Sequence, residues 1–211
     1  MAKEELTIVS DRLELVSMTP EFLEACLAGD PEAASGLLGL EVHEDWLRER
    51  GLMRLRLDQM RRNPALEQWL LRAICLRRQG TMIGHIGFHD QPGNDDLRDL
   101  APGGAEFGYS IFPPFRRRGY ATEACGALMD WASREHHVPR FVVSISPENL
   151  PSLRIASRFG FRKVGSHVDE EDGPEDILVL DVAETIRGDY GRPGKQITKA
   201  GPQNEAGEDV R

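Results

Sequence analysis

Apolar residues recur at strand or helix spacing through most of the first 187 positions and lose any period beyond them. Leu13-Glu14-Leu15-Val16 predicts an early strand, and Pro20 followed by Phe22, Leu23, Cys26 and Leu27 predicts a helix with proline in its first turn. Residues 28–51 are irregular and contain glycine, which suggests helix in pieces. Leu52, Leu55 and Met60 lie among arginines over 52–62, the pattern of a partly exposed helix that stops before Pro64. Those arginines read as a solvated face. Apolar runs at 69–76 and 82–88 flank Arg77-Arg78-Gln79-Gly80, as in a β-hairpin, and Gly84 and Gly87 within the second run mark a bulge or a close approach of backbone or ligand.

Residues 91–104, rich in Gly, Pro, Asp and Asn, form a loop, and the strand at 105–112 is stopped by Pro113-Pro114. Ala121, Ala124, Cys125, Leu128 and Ala132 share one helical face over 120–135. A buried strand follows at 141–145, between Pro139 and Pro147, and this strand–helix–strand unit implies a parallel crossover. Asn149 suits the N-cap of a helix reaching Arg158, with Gly160 placed for a left-handed cap. Two last strands, 161–168 and 177–182, are separated by an acidic run over 169–176 that reads first as a solvated turn. The pattern describes one α/β (α+β) domain over 1–187 and a polar, disordered tail over 188–211.

Charge narrows the partners. A formal net charge of −9 argues against nucleic acid and favours a cationic or amine-bearing partner. The charged start and the lack of a long apolar run predict a cytoplasmic protein with no membrane partner. Cys26, Cys75 and Cys125 form no C-x-x-C pair and read as buried thiols, and the histidines have no convincing third ligand, so no metal is expected. His85 and His89 fall on one face of a strand, where they line an acceptor groove or relay protons near neutral pH. His136 and His137, near a helix end, suit the negative end of its dipole.

The chemistry concentrates where the strand ending at Phe112 gives way to a helix. Arg116, Arg117, Arg118 and Gly119 precede Tyr120 and Ala121 there, bringing positive charge and a permissive backbone to helix N–H groups that can hold a pyrophosphate. No G-x-x-x-x-G-K-[ST] or G-x-G-x-x-G follows a strand, which disfavours nucleoside triphosphates and dinucleotides. Arg116 to Ala121 resembles the R/Q-x-x-G-x-G/A signature of the GNAT superfamily of N-acetyltransferases. The residues from Ala105 to Pro113, Asn149-Leu150-Pro151-Ser152 and Arg158-Phe159-Gly160-Phe161 fall in that family's order. The resemblance is strongest to the branch with the ribosomal-protein alanine N-acetyltransferases.

The resemblance implies a mostly antiparallel central sheet with one parallel crossover, splayed central strands and flanking helices. It also implies acetyl-CoA as co-substrate and an amine acceptor, in a monomer or homodimer. Backbone groups of Ile111 and Phe112 would bond the pantetheine and thioester, the loop from Arg116 to Ala121 the pyrophosphate, and Asn149 the pantetheine, with Ser152 near the sulfur. The amine must lose a proton, and Glu106, opening the strand before the loop, is the first candidate base. Tyr109, three residues on, points to the opposite face of a regular strand. Ala156 stands where many members carry a general-acid tyrosine, leaving Ser152 to bond the thiolate, with helix capping as its plain alternative. A non-catalytic acyl-CoA sensor and a transferase for another acyl-CoA are the competing readings.

Overall fold

The computed structural model describes residues 7–169 and 173–182, so the expected tail at 188–211 and part of the acidic run lie outside the described residues. Eight strands among them form one sheet: β1 (Thr7–Val9), β2 (Leu13–Ser17), β3 (Leu71–Leu76), β4 (Thr81–Phe88), β5 (Ala105–Ile111), β6 (Arg140–Ile145), β7 (Arg162–Asp169) and β8 (Gly173–Asp181). Their spatial order is β1-β2-β3-β4-β5-β6-β8-β7, antiparallel throughout except between β5 and β6. The helices are α1 (Pro20–Ala28), α2 (Pro31–Leu38), α3 (Glu44–Arg48), α4 (Arg50–Arg62), α5 (Tyr120–His136) and α6 (Leu150–Phe159).

Alternation along the strands gives the sheet two apolar faces. One carries Ala73, Cys75 and Met82, and is covered by Phe22 and Leu23 of α1, Trp46 of α3 and Met53 of α4. The other carries Ile74, Ile86, Phe107 and Phe141, and is covered by Ala124, Cys125, Leu128 and Ala132 of α5 with Ala156 and Phe159 of α6. The α5 set is the stripe its sequence spacing predicts. All three cysteines are free and buried.

Both strand glycines prove to be points of close approach. A β-carbon at Gly87 would meet Leu70 O at 1.7 Å, and one at Gly84 would meet Ser110 O at 2.1 Å. The β3–β4 register shifts between Ile74 and Cys75, and opposite that shift Met82 packs into one core and Ile83 into the other. The irregular stretch before Gly51 resolves into α2 and α3, capped by Asp30 and His43, while β1 lacked any clear pattern.

Two expectations need correction. β8 starts at Gly173, within the acidic run, because Pro174, Glu175 and Asp176 pair with Val168, His167 and Ser166 of β7. Two of the run's charges thereby meet internal partners, Asp176 facing Lys163 at 2.5 Å and Glu175 lying 3.6 Å from His167. His136 is engaged by aromatic rings, 4.6 Å from Trp69 and 4.5 Å from Trp131, and burial there lowers its pKa. His137 instead closes α5 in a left-handed conformation, its N–H donating to Ala132 O.

Candidate active site

The chain leaves β5 through a single 3-10 turn, Pro113–Phe115, and reaches α5 through Arg116 to Gly119. Arg117 and Gly119 both adopt positive φ, 63° and 79°, so the backbone turns sharply twice before α5 begins. No side chain caps the first turn of α5, so its N–H groups and the positive end of its dipole face the loop. Such a loop is a cradle that can accept an anion. Arg117 and Arg118 are exposed there, whereas Arg116 turns back and donates from Nε to Ile111 O at 2.8 Å.

A clamp that sequence reasoning missed holds the loop. Arg12, just before β2, donates from Nη1 to Arg118 O at 3.0 Å and from Nε to Glu123 Oε2 at 2.6 Å, with its guanidinium 4.6 Å from the Tyr120 ring centroid. The hydroxyl of Ser10 and the backbone N–H of Arg12 both donate to Glu123 Oε1, at 2.8 and 2.7 Å. Glu123 in the first turn of α5 was a visible acidic signal, but nothing near Arg12 marked it as a partner over 100 residues away.

β5 and β6 pair only at Ala105↔Phe141 and Glu106↔Val142. Beyond Glu106 the edge of β5 facing β6 has no ladder partner on that strand, which leaves a split between the two strands beside the cradle. The Phe112 N–H is already spent on Ile83 O at 2.9 Å and Phe112 O on the Phe115 N–H at 2.9 Å, so these backbone groups serve the fold. Asn149 caps α6, its Oδ1 accepting from the Ser152 N–H at 3.2 Å, and the amide is exposed. Ala121 and Tyr120 pack against the core below α5.

Glu106 and Tyr109 point to opposite faces, as the strand period requires. Tyr109 joins the α5 and α6 side. Glu106 faces the other side, where its Oε1 accepts from the Ser144 hydroxyl at 2.7 Å and its Oε2 lies 3.7 Å from His89 Nδ1. Gly108 makes room for that imidazole, since a β-carbon there would stand 3.1 Å from His89 Nε2. Arg56 of α4 fixes the turn by donating to His89 O at 2.8 Å. Burial alone would raise the Glu106 carboxyl, but hydrogen bonding and charge from His89, the Ser144 hydroxyl and His167 outweigh it and hold the group below the ordinary carboxylate range. Glu106 is therefore ionised at neutral pH.

His85 shares this face but not this character. It is buried against Trp46, ring centroids 5.3 Å apart, near Phe112 at 6.5 Å, and its Nε2 has no hydrogen-bond partner. Burial, reinforced by the charge of Arg56, pulls its pKa to about 4. The expectation that His85 relays protons near neutral pH is thus overturned: the imidazole stays neutral, packed among aromatic rings. Among the described residues no helix is long and apolar enough to cross a membrane, and no cluster of His, Cys, Asp and Glu is arranged to hold a metal.

A mixed sheet split beside a glycine-containing loop and a helix N-terminus is the kind of site that can take an extended ligand with an anionic group at one end. The profile of the acetyltransferase (GNAT) domain family matches residues 12–162, and the chain belongs to that family. It is 30% identical over 92 residues to YnaD of Bacillus subtilis, an uncharacterised N-acetyltransferase; the match covers 44% of this chain and 49% of YnaD, so the chain spans about half the length of that relative. In fold it is similar to the ribosomal-protein-S5-alanine acetyltransferase of Vibrio fischeri, with a TM-score of 0.58 and 12% identity over 88% of this chain and 99% of that one. It is also similar to Mycobacterium smegmatis RimJ, solved with a CoA disulfide, with a TM-score of 0.57 and 20% identity over 82% and 83% of the two chains.

Proposed function

We propose that the protein is a cytoplasmic, acetyl-CoA-dependent N-acetyltransferase that moves the acetyl group to a primary amine by direct attack in a ternary complex. The observation that carries this reading is the split beyond Glu106, with the uncapped start of α5 beside it and an ionised carboxylate on the sheet face beyond. Backbone N–H groups at Gly119, Tyr120 and Ala121, with Arg117 and Arg118, hold the pyrophosphate; the free edge of β5 and the Asn149 amide hold the pantetheine arm. Glu106 attracts the ammonium form of the acceptor and, with His89 beside it, passes the amine proton to solvent. The C–N bond forms as the C–S bond breaks, and the sulfur leaves with its electron pair.

The acceptor is a protein or peptide α-amine or a small-molecule amine, a class that the negative net charge and the membership of the chain in this family both support. Release of free CoA thiol, followed with acetyl-CoA and a panel of peptides and polyamines, tests the reading. Turnover with one class, lowered about 100-fold in Glu106→Gln while acetyl-CoA still binds, is the expected result. Tight acetyl-CoA binding without turnover on any amine would favour an acyl-CoA sensor instead.

A further inference from the structure

The imidazole of His89, at the end of β4, is fixed in a way that its place in the sequence does not explain. Its N–H donates to Glu106 O at 2.8 Å, and its carbonyl accepts from Arg56 Nη1 at 2.8 Å and from Gln59 Nε2 at 3.4 Å, so β5 and α4 hold the backbone from two sides. From that backbone the ring lies along β5. Nδ1 stands 3.7 Å from Glu106 Oε2, and Nε2 stands over Gly108, 3.1 Å from where a β-carbon would be. Gly108 pairs with Gly87 and comes two residues after Glu106, the last β5 residue to pair with β6, so Nε2 overlies β5 where the split opens. The carboxylate is turned the other way by its Oε1, which accepts from Ser144 of β6 at 2.7 Å. The His89 side chain is 44% exposed and that of Glu106 22%, which leaves the ring the more open of the two to an amine and to water.

We propose that His89 is the catalytic base, its Nε2 taking the proton of the acceptor amine, and that Glu106 is the positioning residue that holds the imidazole in the form able to do so. This rests on the acetyltransferase reading and deepens it. An ionised carboxylate accepts hydrogen bonds and cannot donate them, so the ring nitrogen that faces it carries the proton. In the neutral ring that leaves the lone pair on Nε2, the nitrogen over Gly108. The Ser144 hydroxyl occupies the other carboxylate oxygen and keeps Oε2 turned toward Nδ1. The ring takes one proton from the ammonium group, which frees the lone pair that attacks the acetyl carbon. The imidazolium so formed is held by the charge of Glu106 until it discharges to water. The second N–H proton leaves by the same nitrogen as the C–N bond is completed, and the sulfur departs with its electron pair.

The test reads the ring directly, by nitrogen NMR of the whole chain isotopically labelled at its histidines and saturated with CoA. The His89 signals are found by their loss in His89→Gln, and their shifts show which nitrogen bears the proton. The neutral ring should carry it on Nδ1, and in Glu106→Gln that preference should vanish or reverse, because a carboxamide donates as well as accepts. A proton on Nε2 in the wild-type protein would overturn the proposal and leave the acetyltransferase reading standing. Turnover is followed as release of CoA thiol with a panel of polyamines and of peptides bearing a free α-amine. His89→Gln should lower it about 100-fold with acetyl-CoA affinity unchanged, and the double variant with Glu106→Gln should be no slower than His89→Gln alone. Added imidazole should restore part of the turnover of His89→Ala, which a merely structural role for His89 does not predict. Full turnover in His89→Gln beside a slow Glu106→Gln would overturn the proposal and return the base to the carboxylate. No turnover by the wild-type protein on any amine of the panel would overturn the acetyltransferase reading itself.

Discussion

The buried imidazole of His85 makes acid stability a direct probe of the sheet face beyond the split. An unfolded histidine titrates near its ordinary value of 6.5, whereas this one titrates at about 4 because burial, and secondarily Arg56, disfavours its charge. Between those values the unfolded chain binds a proton that the folded chain refuses, so stability falls as pH drops from 6.5 toward 4 and is unaffected above neutrality. With about 1.4 kcal/mol per pKa unit, the difference amounts to about 3 kcal/mol near the lower limit and about 2 kcal/mol at roughly pH 5. The perturbation is His85→Gln, which keeps a polar side chain and abolishes the titration. Urea unfolding followed by circular dichroism at about pH 7 and about pH 5 would give the two slopes. Other carboxylates also contribute to acid sensitivity, but they contribute to both proteins, and only the difference is diagnostic. The variant should lose about 2 kcal/mol less than wild type over that interval. Equal losses would mean that the His85 site is hydrated and that its neutrality has been misread.

Three other outcomes follow from local geometry. Gly87→Ala should unfold the protein or lower its stability by more than about 3 kcal/mol in urea titration, because its β-carbon would fall 1.7 Å from Leu70 O in the middle of the sheet. Gly36→Ala, exposed within α2 with nothing within 4 Å of the new carbon, should instead stabilise by about 0.5–1 kcal/mol in the same assay. Glu123→Ala removes the acceptor shared by Ser10 and Arg12, and should cost about 1–2 kcal/mol of stability and weaken acetyl-CoA binding several-fold by loosening the loop at Arg118; binding unchanged within error would show that the loop holds its shape unaided.

Features resting on local patterning were readable in the chain. The α5 stripe, the hairpin around Arg77 to Gly80, the parallel crossover and the opposite faces of Glu106 and Tyr109 all follow from periods of 3.6 and 2. The strand glycines announced crowding without saying against what, since Leu70, just before β3, and Ser110 of β5 come from other segments of the chain. Pairings between distant segments were not legible. Arg12 reaches Glu123, Ser144 reaches Glu106, and His167 adds its charge to the same carboxylate, each between segments far apart in the chain. The charge state of His85 was equally hidden, because it depends on Trp46 and Phe112 closing over a strand residue whose neighbours in sequence are unremarkable.

If the loop at the start of α5 holds the pyrophosphate of acetyl-CoA, calorimetric titration of acetyl-CoA into the wild-type protein and into Gly119→Glu should separate the two proteins. Gly119 sits at φ 79° with Arg12 Nη2 3.5 Å from where a β-carbon would stand, so glutamate there would strain the backbone and set a negative charge against the phosphates. Roughly micromolar binding to the wild-type protein, abolished in the variant, is the predicted result; no heat with the wild-type protein, or equal affinity in both, would contradict it.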